Sequence, residues 1–370
     1  VIGELSSSTY NGFKITKRNY LPDRGNFFNP VGWSYSSNTQ YTQYFMWTQT
    51  EEALGTLKDN LTRKVALIGS VSYAYKNSYI LNGNIRIDAS NAFGDASNDR
   101  LLPIWSASFR WNLDENLLKN VYWVNSLALK MSYGWQGNMS ALGSHRLVIQ
   151  KKGRNNFFGE NYSLIDNYPN PNLKWEKTKS INLGINFSVL HSKVNGSFEY
   201  YYKKTEDLVT QREIPYENGE HSMYVNGGNM KNSGWELSFS LVPVRTRDFV
   251  WSLGFNTSKV YNEVSSEFEP TGDWREVVGG KYNKKGYPVS SFWAFRFAGL
   301  NPENGGPLFD MSGANTNAGE LDVTQYMVHA GKLDPDLTAG LNMNFRYKNW
   351  TLATSFYWST GNQCFLSSPY

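Results

Sequence analysis

The residue types that most often perform catalysis are few in this chain and far apart. None of its four histidines, His145, His191, His221 and His329, lies within a short metal-ligand spacing of another. A single cysteine, Cys364, excludes an internal disulfide and any multi-cysteine metal site. The sequence contains neither a Gly-x-Ser-x-Gly elbow nor a Gly-x-x-x-x-Gly-Lys-Ser/Thr loop. We therefore predict no catalytic residue, no metal site, no cofactor and no enzymatic activity.

A second chemical possibility is a group of carboxylates between residues 303 and 336. Paired carboxylates can hydrolyse glycosides, and clustered ones can bind a cation. These acids are scattered along a long polar segment, so solvation by water is the favoured interpretation. The group consists of Glu303, Asp310, Glu320, Asp322, Asp334 and Asp336.

The longer segment 263–336, which includes these carboxylates, contains aromatic residues whose chemistry suits ligand binding. An aromatic ring face complements the C–H surface of a sugar, and a neighbouring guanidinium can hydrogen-bond to hydroxyl groups. We predict that these residues contact a substrate or a partner; the alternative is that they pack the segment together. The candidates are Trp274, Arg275, Tyr282, Trp293 and Tyr326.

The composition indicates what kind of protein presents these residues. Aromatic residues make up 16% of the 370 residues, hydrophobic residues only 40%, and the mean hydropathy is −0.52. A strand with one face in lipid and one in a polar lumen has such an average, and its aromatics form belts at the membrane interfaces. The net charge of +4 is dispersed, so no nucleic-acid partner is predicted.

Strict alternation of apolar and polar residues is the dominant pattern. Between Ile181 and Val189, apolar residues alternate with Asn, Gly and Ser, and the stretch from Leu337 to Tyr347 repeats the rhythm. Such alternation predicts strands with two different faces. Many of these runs reach the ~9–11 residues that cross a bilayer, whereas soluble strands are usually ~5–6 residues long.

Short and long connections between the predicted strands alternate along the chain. Long links are predicted at about 136–172, 211–231 and 263–336, with short turns between them. Short turns on one side and long loops on the other are typical of an outer-membrane barrel, in which the long loops are extracellular. Residues 62–362 are predicted to form about ten wall strands, with a further strand at 287–297 inside the last loop. Residues 1–61 are uncertain upstream strands or an extracellular loop, within which 10–20 and 41–47 are strand candidates, and 363–370 begin the next loop.

Residue parity also predicts which face each side chain takes. A charge that faces lipid at the bilayer midplane costs ~2–4 kcal/mol, so charged residues on the alternating strands should point to the lumen. We expect this of Arg86, Arg110, Lys130 and Arg346, whereas Phe345 should face lipid.

Several strands carry motifs as well as alternation. The stretch NPNLKWEKTKSINLGINFSVLHSKVNGSFEYYYKKTEDLV, 170–209, resembles a segment of the SusC/RagA family of TonB-dependent transporters. Four other segments resemble the same family in the same order: LALKMSYGWQGN, 127–138; NGGNMKNSGWELSFS, 226–240; GYPVSSFWAFRFAGLNPENGGPLF, 286–309; and FRYKNWTLATSFYWSTGN, 345–362. The sequence departs from the family's acidic Asp-x-Asn-Gly-Asp-Gly run, having NPENGG at 301–306, so no calcium site is expected there.

The resemblance implies an all-β fold, part of a transmembrane up-and-down antiparallel β-barrel of about 22 strands around a plug. The sequence contains no recognisable plug, so we expect this chain to lack the plug domain. It also implies a bacterial outer-membrane location, contact with outer-membrane lipid, a SusD-like surface lipoprotein as partner, and energy from TonB–ExbB–ExbD through the missing plug. A dimer of SusC–SusD pairs is a further expectation.

Two functions from different classes follow. The first is SusC-like import of a nutrient, with a glycan oligosaccharide as first choice and an oligopeptide as second. The alternative is a surface-exposed β-rich binding or adhesion module, which would remain in solution without detergent.

Overall fold

The computed structural model describes most of the chain in separate ranges. They are 1–14, 20–21, 27–28, 42, 56–90, 102–138, 147–154, 159–168, 170, 172–215, 217, 222–268, 273–312 and 322–364. The strand candidate at 10–20 is described only in part, and the one at 41–47 lies outside these ranges except for residue 42. Among the described residues, no helix has the length and hydropathy needed to cross a bilayer.

The structure is built almost entirely of strands. The first nine are β1 (Ile2–Lys14), β2 (Tyr20–Leu21), β3 (Phe27–Phe28), β4 (Thr56–Tyr75), β5 (Tyr79–Ser90), β6 (Leu102–Asn112), β7 (Val124–Asn138), β8 (Val148–Arg154) and β9 (Asn161–Asn167). The next four are β10 (Glu176–Val189), β11 (Val194–Glu213), β12 (Ser222–Arg245) and β13 (Phe249–Val264). A one-turn helix, α1 (Trp274–Val278), precedes β14 (Ser291–Phe295), β15 (Phe297–Leu300) and β16 (Pro307–Phe309). A 3-10 turn (Val323–Gln325) then leads into β17 (Met327–Lys332), β18 (Leu337–Tyr347) and β19 (Trp350–Thr360).

The chain divides into two compact units. The larger unit contains 1–2, 67–87 and 94–370, and its main sheet has the order β4-β5-β6-β7-β10-β11-β12-β13-β18-β19. The smaller unit contains 3–66 and 88–93. In the strand order β1 neighbours β4, and β2 pairs with β3. Strands that follow one another along the main sheet are antiparallel, which confirms the predicted all-β, up-and-down architecture.

Tight turns join the strands at one end of the main sheet. Lys76 and Asn77 both have positive φ, 51° and 53°, as the two central residues of a type I′ hairpin turn require. Leu190, His191 and Ser192 also have positive φ, between 57° and 59°, in the turn that joins β10 to β11. Left-handed backbone bends the chain in the direction that matches the strand twist, so the hairpins close without a long loop.

Cross-strand register gives the sheet two chemically different faces. Apolar residues share a row on the side that we call the apolar face: Trp111, Leu129, Ile185, Phe198, Leu237, Thr257, Ala339 and Trp358. The next row, on the polar face, is Asn112, Ala128, Asn186, Ser197, Ser238, Asn256, Gly340 and Tyr357. Trp251 stacks on Phe345 on the apolar face, while Arg346 has the opposite parity.

The main sheet is a wall rather than one half of a sandwich. Large apolar side chains on it remain accessible, with Leu183 at 45% and Phe356 at 54% of full exposure. A compact hydrophobic core lies instead in the segment between β13 and β18, around the buried Val277, Trp293, Val323 and Met327.

The strands continue beyond several predicted boundaries. β11 extends to Glu213 and β12 begins at Ser222, so most of the predicted 211–231 loop is hairpin. The hairpin β8–β9 lies inside the predicted 136–172 loop. The strand expected at 287–297 begins only at Ser291, because Pro288 has no N–H to donate to a ladder.

Candidate functional site

Charges on the polar face form a patterned row across five strands. Directly opposed residues in this row are Arg110 on β6, Lys130 on β7, Gly184 on β10, Glu199 on β11 and Glu236 on β12. Two cations therefore lie side by side, and two anions lie side by side, with a glycine between them. Like charges directly opposite one another are destabilising, so this face suits a hydrated or counter-charged environment.

The polar face continues as a shallow concave area of about 600 Å³ over β11 to β19. Its lining combines apolar surface with hydroxyl, amide and carboxylate groups, which belong to Glu199, Glu236, Asn256, Ser258, Asn342 and Tyr357. Such groups can exchange hydrogen bonds with a passing polar solute without holding it by one dominant contact.

The segment between β13 and β18 folds into what we call the loop cluster. Its members are the buried Val277, Trp293, Val323 and Met327 and the half-buried Val278, Tyr282, Tyr287, Phe295 and Tyr326. Asp273 caps α1 by accepting a hydrogen bond from the Arg275 N–H at 2.9 Å, and Asp322 caps the 3-10 turn by accepting from the Thr324 N–H at 2.9 Å. Short capped helices and the β14–β17 pairing thus fix the aromatic residues in place.

Backbone bonds fasten the loop cluster to the wall. The Val264 N–H donates to the Tyr287 carbonyl at 2.9 Å, and the Gly286 N–H donates to the Val264 carbonyl at 2.8 Å. On the other side, the Asp336 N–H donates to the Thr360 carbonyl at 3.0 Å. Gly331 has a φ of +138° and lies under the Gln363 side chain, so a Cβ at this position would collide with it.

The structure brings all five predicted contact residues into this one region. Trp293 is 3% exposed and forms the centre of the core, whereas Trp274 is 42% exposed at its edge. Arg275 lies over the Trp274 ring at 4.8 Å, and Tyr326 stacks on Phe295 at 6.1 Å. Packing therefore accounts for Trp293, while contact with a substrate or partner stays a prediction for all five, with Trp274 and Arg275 the most accessible.

Polar groups surround the aromatic core of the loop cluster. The Lys284 ammonium donates to the Thr324 hydroxyl at 2.7 Å and lies 4.9 Å from the centre of the Trp293 ring. Burial raises the pKa of Tyr282, and the nearby Asp322 and Glu267 raise it further. Burial lowers the pKa of His329, and the positive charge of Lys332 lowers it further. Tyr282 and His329 therefore each favour the uncharged form, which suits an aromatic setting.

Three of the predicted carboxylates serve local structure: Asp310, Asp322 and Asp336. Hydrogen bonds from the Ser312 side chain and from the Ser312 N–H, the latter at 3.0 Å, lower the pKa of Asp310. Asp336 forms an ion pair with Lys332 at 2.5 Å. Glu320 lies outside the described residues. No three acidic, histidine or cysteine groups converge on a possible metal position within the described ranges.

Sequence reasoning missed a polar clamp, which consists of Asn170, Glu176 and Asn226. Asn226 accepts from the Lys174 N–H at 2.7 Å and donates to the carbonyls of Lys174 and Asp207 at 3.0 and 2.6 Å. Asn170 donates to a backbone carbonyl of β12, and the Glu176 carboxylate accepts from a backbone N–H of β11. The signal is present in the sequence, because these residues belong to the NPNLKWE and NGGN motifs, but motif spelling alone does not reveal their partners.

The clamp lies where the β11–β12 ladder is irregular. The register shifts between Thr205 and Leu208 and shifts back between Leu208 and Val209, with Asp207 at a φ of +59°. Bulges leave backbone groups without ladder partners. The clamp supplies bonds to two of those groups, the Asp207 carbonyl and the Val209 N–H.

The chain is similar in sequence to a family of known proteins. Residues 3–363 match the family model described as TonB dependent receptor-like, beta-barrel. TonB-dependent receptor P3 of Formosa agariphila is 28% identical over 82% of this chain and 32% of its own length. TonB-dependent receptor SusC of Bacteroides thetaiotaomicron is 28% identical over 80% of this chain and 31% of its own length. The chain thus spans about a third of the length of these curated relatives.

Solved structures agree on the fold. The structure of the RagAB peptide transporter superimposes with a TM-score of 0.71 at 22% identity, over 85% of this chain and 35% of that chain. The same importer in its open-open state gives a TM-score of 0.70 at 21% identity, over 84% of this chain and 34% of that chain.

Proposed function

Because the chain belongs to the family of TonB-dependent receptor-like β-barrels of the outer membrane, we propose that it forms wall strands of a SusC-type nutrient importer. In this setting the apolar face meets lipid and the polar face lines the lumen. The loop cluster lies on the extracellular side, since it interrupts the strands at the end opposite the tight turns.

One observation carries the proposal: the rows of the registered sheet alternate between apolar and polar across the wall from β6 to β19. A soluble sheet with one face in water would bury its other face in a core. Here the apolar face stays accessible from strand to strand, which suits a lipid solvent.

The polar face suits the passage of a polar solute rather than its tight binding. Its hydroxyls, amides and separated charges offer many weak contacts along the wall, and weak multi-site binding lets a solute enter and leave. Movement of a plug would open the path, driven by TonB–ExbB–ExbD, and a SusD-like lipoprotein would close it from outside.

The loop cluster supports a ligand with both flat apolar and polar surfaces. The accessible Trp274 ring offers a stacking face, and Arg275 beside it offers guanidinium donors for hydroxyls or a carboxylate. A glycan oligosaccharide is our first choice of substrate. An oligopeptide is the second, and the RagAB transporter, which shares the fold, is a peptide transporter.

Capture of the full-length parent from outer membranes in mild detergent tests the proposal. Mass spectrometry then identifies the proteins and the small molecules that remain bound. We expect a surface lipoprotein in stoichiometric amount and an oligosaccharide as co-purified cargo.

The other results are equally informative. Recovery of the parent without a lipoprotein would indicate a receptor without a lid. A peptide cargo would reverse the order of the substrate classes. Recovery from the soluble fraction would overturn the importer and favour a surface-exposed binding or adhesion module.

A further inference from the structure

Three lysines occupy neighbouring positions in one row of the apolar face. Lys179 on β10 is directly opposite Lys204 on β11, and Lys204 is directly opposite Lys231 on β12. Adjacent strands are ~4.8 Å apart, so the three backbone positions span ~10 Å. Their parity is that of Ile181, Tyr202 and Trp235, so they share the face that meets lipid.

The row lies at a particular depth in the membrane. About ten residues separate Lys179 from Val189 at the tight-turn end of β10, which is ~33 Å along a strand and ~25 Å along the normal of a tilted one. The apolar band of an outer-membrane barrel is ~25 Å tall. The lysine row therefore lies where the hydrocarbon of the outer leaflet ends and its headgroups begin.

Aromatic residues flank the row as they do at a membrane interface. The same row continues to Trp135 and Trp105 on β7 and β6, and the Lys179 ammonium lies 4.4 Å from the Trp135 ring. Lys259, one strand further on and nearer the bilayer centre, lies 5.0 Å from the ring of Tyr261 and so reaches towards the same depth. Long cationic side chains behave in this way when the charge seeks the headgroup region.

Internal pairing neutralises only part of this charge. Lys204 forms an ion pair with Glu206 at 2.5 Å. Among the described residues, neither Lys179 nor Lys231 takes part in an ion pair. Glu263 on β13 is directly opposite Lys231, and Glu206 is also directly opposite Lys177. Four cations therefore face two anions, and the surface stays positive. Like charges directly opposite one another destabilise a sheet, and here three such charges lie on three adjacent strands. An anion bound across the row would remove that repulsion.

The surface below the row determines what kind of anion fits. One step closer to the bilayer centre, the apolar face presents Tyr133, Ile181, Tyr202 and Tyr261. A cationic line directly above an apolar, aromatic surface complements a molecule with an anionic head and hydrocarbon tails. A lysine is a good point-charge partner for phosphate.

We propose that Lys179, Lys204 and Lys231 bind the phosphorylated headgroup of an outer-leaflet lipid whose acyl chains lie on the apolar face below. The lipid neutralises the row and covers this part of the wall. Its binding depends on the outer-membrane setting but not on the identity of the imported nutrient.

The test uses the full-length parent purified from outer membranes. Delipidated protein is titrated in detergent with a monophosphorylated lipid A, and bound lipid is counted by native mass spectrometry. In the triple variant K179Q/K204Q/K231Q we expect about a hundredfold weaker binding, since each lysine near a charged headgroup contributes about fivefold. The variant K179R/K204R/K231R keeps the charges and should bind as the wild type does.

Lys203 provides the matched control. It neighbours Lys204 in sequence at the same depth but has the opposite parity, so K203Q removes one charge from the polar face. Lipid affinity should not change in K203Q. Resistance of the barrel to unfolding in unheated dodecyl sulfate verifies that each variant is folded. If the triple variant fails this check, K231Q alone should weaken binding about fivefold.

Three results would overturn the proposal. The first is wild-type lipid affinity in the folded triple variant, or in K231Q if that variant replaces it. The second is an equal loss in K203Q. The third is displacement of the lipid by millimolar inorganic phosphate, which would indicate a site for a small anion rather than for a lipid.

Discussion

Asn226 and Lys174, 52 residues apart in sequence, bond to each other in both directions. The Asn226 amide accepts from the Lys174 N–H at 2.7 Å and donates to the Lys174 carbonyl at 3.0 Å. One side chain thus imitates a backbone partner and holds the segment before β10 against β12. This contact joins the loop segment before β10 to the wall strand β12.

Replacement of Asn226 by alanine should loosen this junction. Removal of its bonds leaves backbone groups of Lys174 and Asp207 without partners, at a cost of about 1–3 kcal/mol for each group that stays buried. We expect amide exchange at Lys174 in the full-length protein to accelerate by at least about tenfold. Asn342→Ala, which removes the same amide from the polar face of β18, is the control. Unchanged exchange at Lys174 in Asn226→Ala would refute the role of the clamp.

The two faces of β18 can be read by chemical labelling. In a Cys364→Ser background, cysteine at Phe345 should react with a lipid-soluble maleimide, and cysteine at Arg346 should react with a water-soluble one. The reason is parity, since neighbouring residues of a strand point to opposite faces. The reverse pattern would show that the register of β18 is shifted by one residue.

Trp293 and Trp274 should respond differently to truncation. Trp293→Ala leaves a cavity in the loop cluster and should destabilise it by about 3–5 kcal/mol, detected as faster proteolysis of the 273–336 segment. Trp293→Phe should be much milder, because it keeps an aromatic ring and removes an indole N–H that has no hydrogen-bond partner among the described residues.

Trp274→Ala should leave the loop cluster folded, because the side chain is 42% exposed. If the full-length protein imports a nutrient as proposed and Trp274 is a stacking platform, the affinity of that protein for its substrate should fall about tenfold, as measured by calorimetry. Wild-type affinity in a folded Trp274→Ala protein would leave packing as the role of this residue.

The loop cluster should also weaken in acid. The pKa of His329 is lowered in the folded state by burial against Tyr287 and Trp293, so protonation favours unfolding. The stabilisation is complete above the unfolded pKa of about 6.5 and is lost as the pH falls from there through the folded value. Proteolysis of the segment at pH 7.5 and 5.5 should reveal this loss, and His329→Gln should reduce the difference between the two pH values. A pH effect of the same size in His329→Gln would assign the acid sensitivity to another group.

The alternation of residues is enough to predict the wall but not the loop cluster. Ile181 to Val189 and Leu337 to Tyr347 repeat the period of two over a full strand, so local sequence determines their faces. Trp293 and Val277 are 16 residues apart, and only tertiary packing brings them together. Residue type makes Trp293 and Tyr326 candidates for contact, yet their depth of burial depends on neighbours that no local pattern encodes.

The clamp shows the same limit at a finer scale. Asn170, Glu176 and Asn226 are ordinary polar residues, and their partners are backbone atoms of other strands and of the segment before β10. Backbone atoms carry no sequence signature. A ladder irregularity such as the one at Asp207 is therefore invisible until the register is known.

That irregularity has a consequence for how the barrel can evolve. The two register shifts near Leu208 are opposite in sign and cancel within four residues, so the pairing register on either side of them is the same. The strand keeps its parity on both sides of the irregularity, so the loop-side ends can acquire or lose residues while the rest of the wall remains in register. A change in loop length above the irregularity therefore need not exchange the two faces of the wall below it.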